Sequence, residues 1–321
     1  MTISPAEPTI VATGLRKSYG DQLVLDGIDL SVPKGTIFSL LGPNGAGKTT
    51  AVKILSTLIR ADGGKILVAG HDPASDPDAV RAAIGVTGQF SAVDNLLTGE
   101  ENLVLMGDLH HLGRRRSRLR AGQLLDQFGL VNAGKKVAAT YSGGMRRRLD
   151  LAMGLVGQPR VVFLDEPTTG LDPRARRDMW QVIRELVSRG ITIFLTTQYL
   201  EEADQLADRI AVLDHGKVVA EGTADELKRL IPGGHISLRF ADPTAFDLAT
   251  NALRDSSRND ETLTLQVASD GSVRSLRALL GRLEYESIEV ADLTIHTPDL
   301  DDVFLALTGN ASQEHQKEAV R

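Results

Sequence analysis

The chain has 321 residues, 42% hydrophobic and 24% charged, with a net charge of −6 and a pI near 5.7. That length suits a core domain with a smaller companion, and the acidic balance argues against nucleic acid as a partner. Having no cysteine, the chain can carry no disulfide, thiolate metal site or cysteine nucleophile, and no apolar run approaches the ~20 residues of a membrane-spanning helix.

The opening "MTISPAEP" has neither the basic nor the apolar region of a signal peptide, so residues 1–8 are expected to be a flexible tail on a cytoplasmic chain. From Thr9 to about Leu230, short apolar strands alternate with amphipathic helical segments, the pattern of an α/β domain. "TIVATGLRKSY" and "LVLDGIDLSV" alternate like half-exposed strands. "GTIFSLLG", "VVFLDE" and "ITIFLTT" are continuous apolar runs, as in parallel strands buried on both faces. Between Gln89 and Ser142 the periodicity becomes helical, which places a helical insert at about 90–157. Its dense basic run, "RRRSRLR" (Arg114 to Arg120), reads as the solvated face of a helix.

"IPGGH" (Ile231 to His235) is a linker signal. Beyond it, "HISLRF", "ETLTLQVAS" and "ESIEVADLTIH" read as strands, and "TAFDLATNALRD", "GSVRSLRALLGRL" and "DLDDVFLALTG" as helices. This predicts a small α+β domain over 231–309, then a disordered tail over 310–321. No internal repeat is found.

The densest chemistry lies in Gly42-Pro43-Asn44-Gly45-Ala46-Gly47-Lys48-Thr49, which follows an apolar strand and opens a helical segment. Its glycines let backbone N–H groups point inward around phosphate oxygens, and the helix N-terminus adds partial positive charge. Lys48 can reach the β- and γ-phosphates and the Thr49 hydroxyl suits Mg²⁺; Thr50 is a neighbouring hydroxyl without an assigned task. "VVFLDEP" places Asp165 at a strand end, able to hold Mg²⁺ through a water, and Glu166 one residue further out, able to orient an attacking water. Ser142, Gly143 and Gly144 form a second helix start with backbone N–H groups open to an anion.

In this order and spacing, "GPNGAGKT", "GQ", "YSGGM", "FLDE" and "GLD" closely resemble the nucleotide-binding subunits of ABC transporters, from Thr9 to about Leu230. The resemblance implies a P-loop NTPase core, a mostly parallel sheet with an antiparallel β subdomain, carrying a helical insert. It implies ATP and Mg²⁺ as ligands, and a head-to-tail dimer in which "SGG" of one subunit caps the ATP held by its partner, here expected to be a second copy. Tyr19 resembles the aromatic residue that stacks on adenine. Gln89 resembles the glutamine that touches Mg²⁺ and links core to insert, although "VTGQ" differs from the commoner proline-containing flank. Asp172 resembles the residue that bridges the two subunits. Met145 stands where many members carry glutamine.

Gln198 occupies the family's switch-histidine position. Its amide can donate to the γ-phosphate without carrying a charge; alternatively it caps the following helix. With Glu166 intact, the resemblance implies a working ATPase in which Glu166, Lys48 and Gln198 serve hydrolysis. "LSTLIRADGGKILVAGHD", "TTQYLEEADQLADRI" and "DLDDVFLALTG" look most like the daunorubicin/doxorubicin-type drug-resistance subgroup. An exporter ATPase is therefore expected, held at the inner face of the membrane by a separate permease. The alternatives are an importer ATPase, a translation factor (which would carry two cassettes) and a DNA-maintenance ATPase (which would carry a long coiled coil).

Overall fold

The computed structural model describes residues 8–89, 91–230, 234–253, 256–269, 272–296 and 298–307. The expected tails, except Pro8, and the linker residues 231–233 lie outside the described residues. The chain divides into two compact units between Ala224 and Asp225.

In the first unit, β1 (Pro8–Tyr19) pairs antiparallel with β2 (Gln22–Pro33) and with β4 (Gly63–Val68), giving a three-stranded sheet. A six-stranded sheet is built from β3 (Ile37–Leu41), β5 (Ile84–Thr87), β6 (Val161–Asp165), β7 (Thr192–Thr197), β8 (Arg209–Asp214) and β9 (Lys217–Gly222). Its order is β5-β6-β7-β3-β8-β9, with only β9 antiparallel to its neighbour. The helices are α1 (Lys48–Leu55), α2 (Pro77–Ala83), α3 (Gly99–Leu109), α4 (Arg114–Gln127), α5 (Gly143–Gly154), α6 (Pro173–Ser188) and α7 (Leu200–Leu206). A short α8 (Ala224–Lys228) spans the division.

The central strands β3, β6 and β7 are buried on both faces, which is why they read as unbroken apolar runs. Alternation within each strand decides what packs where. Phe38, Leu40, Phe163 and Phe194 join a core with β1, β2 and α1, with the Phe194 ring 5.6 Å from those of Phe38 and Phe163. Ile37, Val162, Leu164, Ile193 and Leu195 face the opposite core, shared with α3 to α6. Helix α6 supplies that core with Met179, Trp180, Ile183 and Leu186 at helical spacing. Each such buried side chain contributes about 1.5–3 kcal/mol.

Helices α3, α4 and α5 occupy the span of the expected insert. Thr98 and Glu101 form a capping box at the start of α3. In α4, Arg114, Arg115, Arg116 and Arg118 are exposed, but Arg120 turns inward and donates to the Leu155 carbonyl at 2.8 Å. The solvated-face reading thus holds for four of the five arginines.

The second unit runs β10 (His235–Arg239), α9 (Pro243–Ala252), β11 (Ser256–Asn259), β12 (Thr264–Ala268), α10 (Val273–Tyr285) and β13 (Asp292–His296), with helical turns at 300–307. Its sheet order, β11-β12-β10-β13, is antiparallel throughout. Together these make a ferredoxin-like split β-α-β. Ile236, Leu238 and Leu265 face Phe246, Ala249, Leu279 and Leu283 in its core. Two sequence expectations need correction here. "ESIEVADLTIH" forms a strand only from Asp292, because α10 runs to Tyr285 and turns at Ser287 with φ +53°. Strand β11, "SSRN", was not expected; it is short, polar and at a sheet edge, so it lacks the apolar alternation that marks a strand.

Candidate functional site

Strands β6, β7 and β3 are consecutive in the parallel sheet, so the residues just past their carboxyl ends are neighbours. In open α/β sheets that edge is where ligands bind. The loop after β3 starts at Gly42, whose N–H donates to the Thr197 carbonyl at 3.2 Å. A Cβ on Gly42 would sit 2.2 Å from the Leu213 carbonyl oxygen. Gly47 has φ +110°, and a Cβ there would lie 2.7 Å from Leu25 Cδ2. Only glycine fits either position. Gly45, at φ +84°, faces open space. Helix α1 then begins with no side-chain cap. The N–H groups of Lys48, Thr49 and Thr50 have no partner within the helix, and with the helix dipole they form an anion cradle.

Lys48 is 4% exposed. Its Nζ donates to the carbonyls of Gly42 (2.8 Å) and Pro43 (3.0 Å) and lies 3.6 Å from Glu166 Oε1. Burial lowers its pKa, while Glu166 and Asp165 oppose the fall. Asp165 Oδ1 accepts from Thr49 Oγ1 at 3.2 Å and from Thr196 Oγ1 at 2.5 Å. Glu166 adopts φ +49°, a left-handed conformation uncommon outside glycine. Its N–H donates to the Thr196 carbonyl at 3.1 Å, and its Oε2 accepts from Thr169 Oγ1 at 3.4 Å. Phosphate therefore fits the loop. The hard oxygen donors of Thr49 and Asp165 suit Mg²⁺, which favours one or two protein oxygens together with phosphate and water.

Tyr19 ends β1 with 49% of its surface exposed and Lys17 Nζ 5.5 Å from its ring centroid. Gln89 is exposed in the bend after β5. Neither side chain is hydrogen-bonded to the phosphate loop among the described residues. Gln198 follows β7 directly and is half-buried. The N-cap of α7 is Tyr199, with no side-chain cap, and no side-chain hydrogen bond joins Gln198 to that helix among the described residues.

Ser142 is the N-cap of α5 and accepts from Met145 N at 3.3 Å. Asp172 is the N-cap of α6, accepting from Arg174 N and Ala175 N at 3.0 and 2.9 Å. Ser142, Gly143, Gly144 and Asp172 line one cleft of about 380 Å3. The phosphate loop does not line that cleft.

Sequence reading missed the supports of this site. Thr196 and Thr197 look like ordinary strand residues, yet they anchor Asp165, Glu166 and Gly42. Glu202 looks like a surface helix residue beside Glu201. It is fully buried, and accepts from Thr168 Oγ1 at 2.8 Å and Trp180 Nε1 at 3.1 Å.

A family model described as ABC transporter matches residues 25–169. The daunorubicin resistance ATP-binding protein DrrA3 of Streptomyces coeruleorubidus is 50% identical, over 95% of this chain and 97% of that protein. The chain belongs to the ABC transporter ATP-binding proteins. The daunorubicin/doxorubicin resistance ATP-binding protein DrrA of Streptomyces peucetius is 47% identical, over 97% and 96% of the two chains. Among solved structures, an ATP-binding subunit of an ABC transporter aligns with a TM-score of 0.62 and 29% identity, over 69% of this chain and 92% of that one. As a member of this family the chain binds ATP and is an ATPase. ABC ATP-binding subunits of resistance transporters work with membrane permease partners. Among the described residues, no helix is long and apolar enough to cross a membrane.

Proposed function

We propose that this ABC ATPase energises the export of a drug-like or hydrophobic molecule through a separate membrane subunit, holding Mg²⁺-ATP on the loop Gly42–Thr49 and hydrolysing it with Glu166. The observation that carries the site assignment is the meeting of Lys48, Asp165 and Glu166 at the ends of β3 and β6, with Lys48 Nζ 3.6 Å from Glu166 Oε1. Export is supported by the relatives named for daunorubicin and doxorubicin resistance.

When bound, Mg²⁺ would supply neutralisation of the phosphate charge. Lys48 turns from the Gly42 and Pro43 carbonyls to the same phosphates. Thr49, Asp165 and Gln89 would hold the metal, and Tyr19 offers its exposed ring to adenine. Glu166 orients the attacking water and accepts its proton. Gln198 donates its amide N–H to the γ-phosphate. Ser142, Gly143 and Gly144 cap the ATP of a second subunit, here a second copy of the chain, and Asp172 lies at that junction. The dimer is seated on its permease at the inner face of the membrane.

The test is Glu166→Gln. It should keep ATP binding, stall phosphate release and leave an ATP-stabilised dimer on size-exclusion chromatography. Phosphate release at the wild-type rate would remove Glu166 from the reaction. Co-purification with the membrane subunit, followed by a screen for compounds that stimulate the ATPase, then tests export.

A further inference from the structure

Arg147 lies in the run "MRRRLDLA" of α5, five residues past Ser142. Its side chain is 11% exposed and makes five polar contacts. Nε donates to the Pro167 carbonyl at 2.8 Å. Nη1 donates to the Gly88 carbonyl at 2.9 Å and to Asp150 Oδ2 at 3.2 Å. Nη2 donates to the carbonyls of Asp165 at 3.2 Å and Glu166 at 3.3 Å. Asp150, one turn on and 3% exposed, accepts from Ala92 N at 3.0 Å through its other oxygen.

One buried ion pair on α5 therefore grips the three consecutive carbonyls 165–167 and both flanks of Gln89, at Gly88 and Ala92. A guanidinium is suited to this, because its planar fork directs several donors at once. The carbonyls have strong reason to stay. A buried arginine cannot shed its proton, and burial, the main influence on its pKa, is opposed by Asp150, Asp165 and Glu202. Burial also pushes the Asp150 carboxyl upward, with Ala92 N–H and Arg147 holding it down.

We propose that Arg147, held by Asp150, is a positioning residue that locks the hydrolytic carboxylate Glu166 and the Gln89 loop to the helix carrying Ser142–Gly144. On the reading of Glu166 and "SGG" given above, which this inference extends, the two ends of one subunit serve two different ATP molecules. Arg147 makes those ends one mechanical body. A shift of α5 on engaging a second subunit's ATP then moves the backbone of Glu166 directly.

The experiment compares wild type, Arg147→Lys, Asp150→Asn and Glu166→Gln, as full-length chains, for ATP affinity, steady-state kinetics and thermal unfolding. Lysine keeps the charge but cannot span five acceptors. Because a ~1 Å misplacement near the chemistry can cost about 100-fold, Arg147→Lys should lower kcat by about 10–100-fold, with KM for ATP within about threefold. Asp150→Asn should act in the same direction. The dependence of turnover on ATP concentration, sigmoidal if two sites communicate, should become hyperbolic in both variants. Should Arg147→Lys unfold at assay temperature, Asp150→Asn carries the test alone. A folded variant with wild-type kcat and unchanged cooperativity overturns the proposal, as does a fall in kcat matched by an equal loss of ATP affinity. Glu166→Gln separates the two readings: if it stalls while Arg147→Lys turns over normally, only Arg147 loses its role. If it does not stall, the assignment of Glu166 falls first.

Discussion

Lys48 Nζ lies 3.6 Å from Glu166 Oε1, and both side chains are at least nine-tenths buried. The residue that would neutralise phosphate charge and the one that would activate water are thus paired with each other. The lysine is further satisfied by the carbonyls of its own loop, Gly42 and Pro43. On the proposed assignment, phosphate would compete for Lys48, and its arrival would release Glu166 from the pair.

Lys48→Ala should accordingly leave a folded protein that no longer binds ATP productively. A hydrogen bond to a charged partner contributes about 1.5–3 kcal/mol, so losing one lowers ATP affinity by about 10–100-fold. Circular dichroism with nucleotide binding and phosphate release checks this. Near-normal turnover would contradict the assignment of the phosphate loop.

Ending the chain after Leu230 should leave ATP binding largely intact. Every nucleotide motif lies upstream, and the two units divide between Ala224 and Asp225. The ferredoxin-like unit has its own core of Ile236, Leu238, Phe246 and Leu279. Its removal should change dimer lifetime or coupling to the membrane subunit instead. A truncated protein that is folded yet cannot bind nucleotide would show that the first unit depends on the second.

The glycines of the loop after β3 were legible because backbone geometry dictates the letters: a Cβ at Gly42 would strike Leu213 and one at Gly47 would strike Leu25. The buried strands β3, β6 and β7 were legible because both their faces are covered. What stayed hidden was the set of groups that hold the site in place. Arg147 sits among three arginines, and nothing in "MRRRL" says which of them turns inward to five acceptors; that depends on the rotation of α5 against β6. Thr196 and Glu202 were equally silent, because a threonine in a strand and a glutamate in a helix have common bland roles. Strand β11 was lost for a related reason, since a short polar edge carries no pattern of its own.

Glu202 gives a prediction about stability. Burial raises its pKa, opposed by the neighbouring Thr197 hydroxyl and by the hydrogen bonds from Thr168 and Trp180. Because the folded value lies above the unfolded one, the neutral acid favours folding. That contribution is fully present below the ordinary glutamate value of about 4.3 and is lost as pH rises through the raised folded value. Glutamine cannot ionise, so Glu202→Gln should gain stability relative to wild type as pH rises through that window. About 1 kcal/mol would move Tm by about 2–4 °C in a protein of this size. Melting curves at several pH values check the trend. A Tm difference that stays constant with pH would mean that Glu202 is not protonated preferentially in the fold.

Gln198 stands where the resemblance to the family implies a histidine. It follows β7, next to the Thr197 whose carbonyl anchors Gly42, and the cap of the following helix is Tyr199. If it donates to the γ-phosphate, Gln198→Ala should lower turnover by about tenfold or more while ATP affinity changes little. Binding draws on the whole loop, whereas this contact matters most as charge moves in the transition state. Gln198→His should remain active, since imidazole offers an N–H donor of similar reach. Only the histidine variant should titrate near neutrality, from an ordinary pKa of about 6.5. The sign follows from charge: imidazolium stabilises the γ-phosphate better than a neutral ring. The ratio of histidine-variant to wild-type turnover should thus rise as pH falls through that range, while alanine tracks wild type at a lower level. Steady-state kinetics of the three proteins from pH 5.5 to 8.5, about two pH units either side of that value at most, decide the matter. Unchanged turnover in the alanine variant would leave hydrolysis resting on Glu166 without a γ-phosphate sensor at this position.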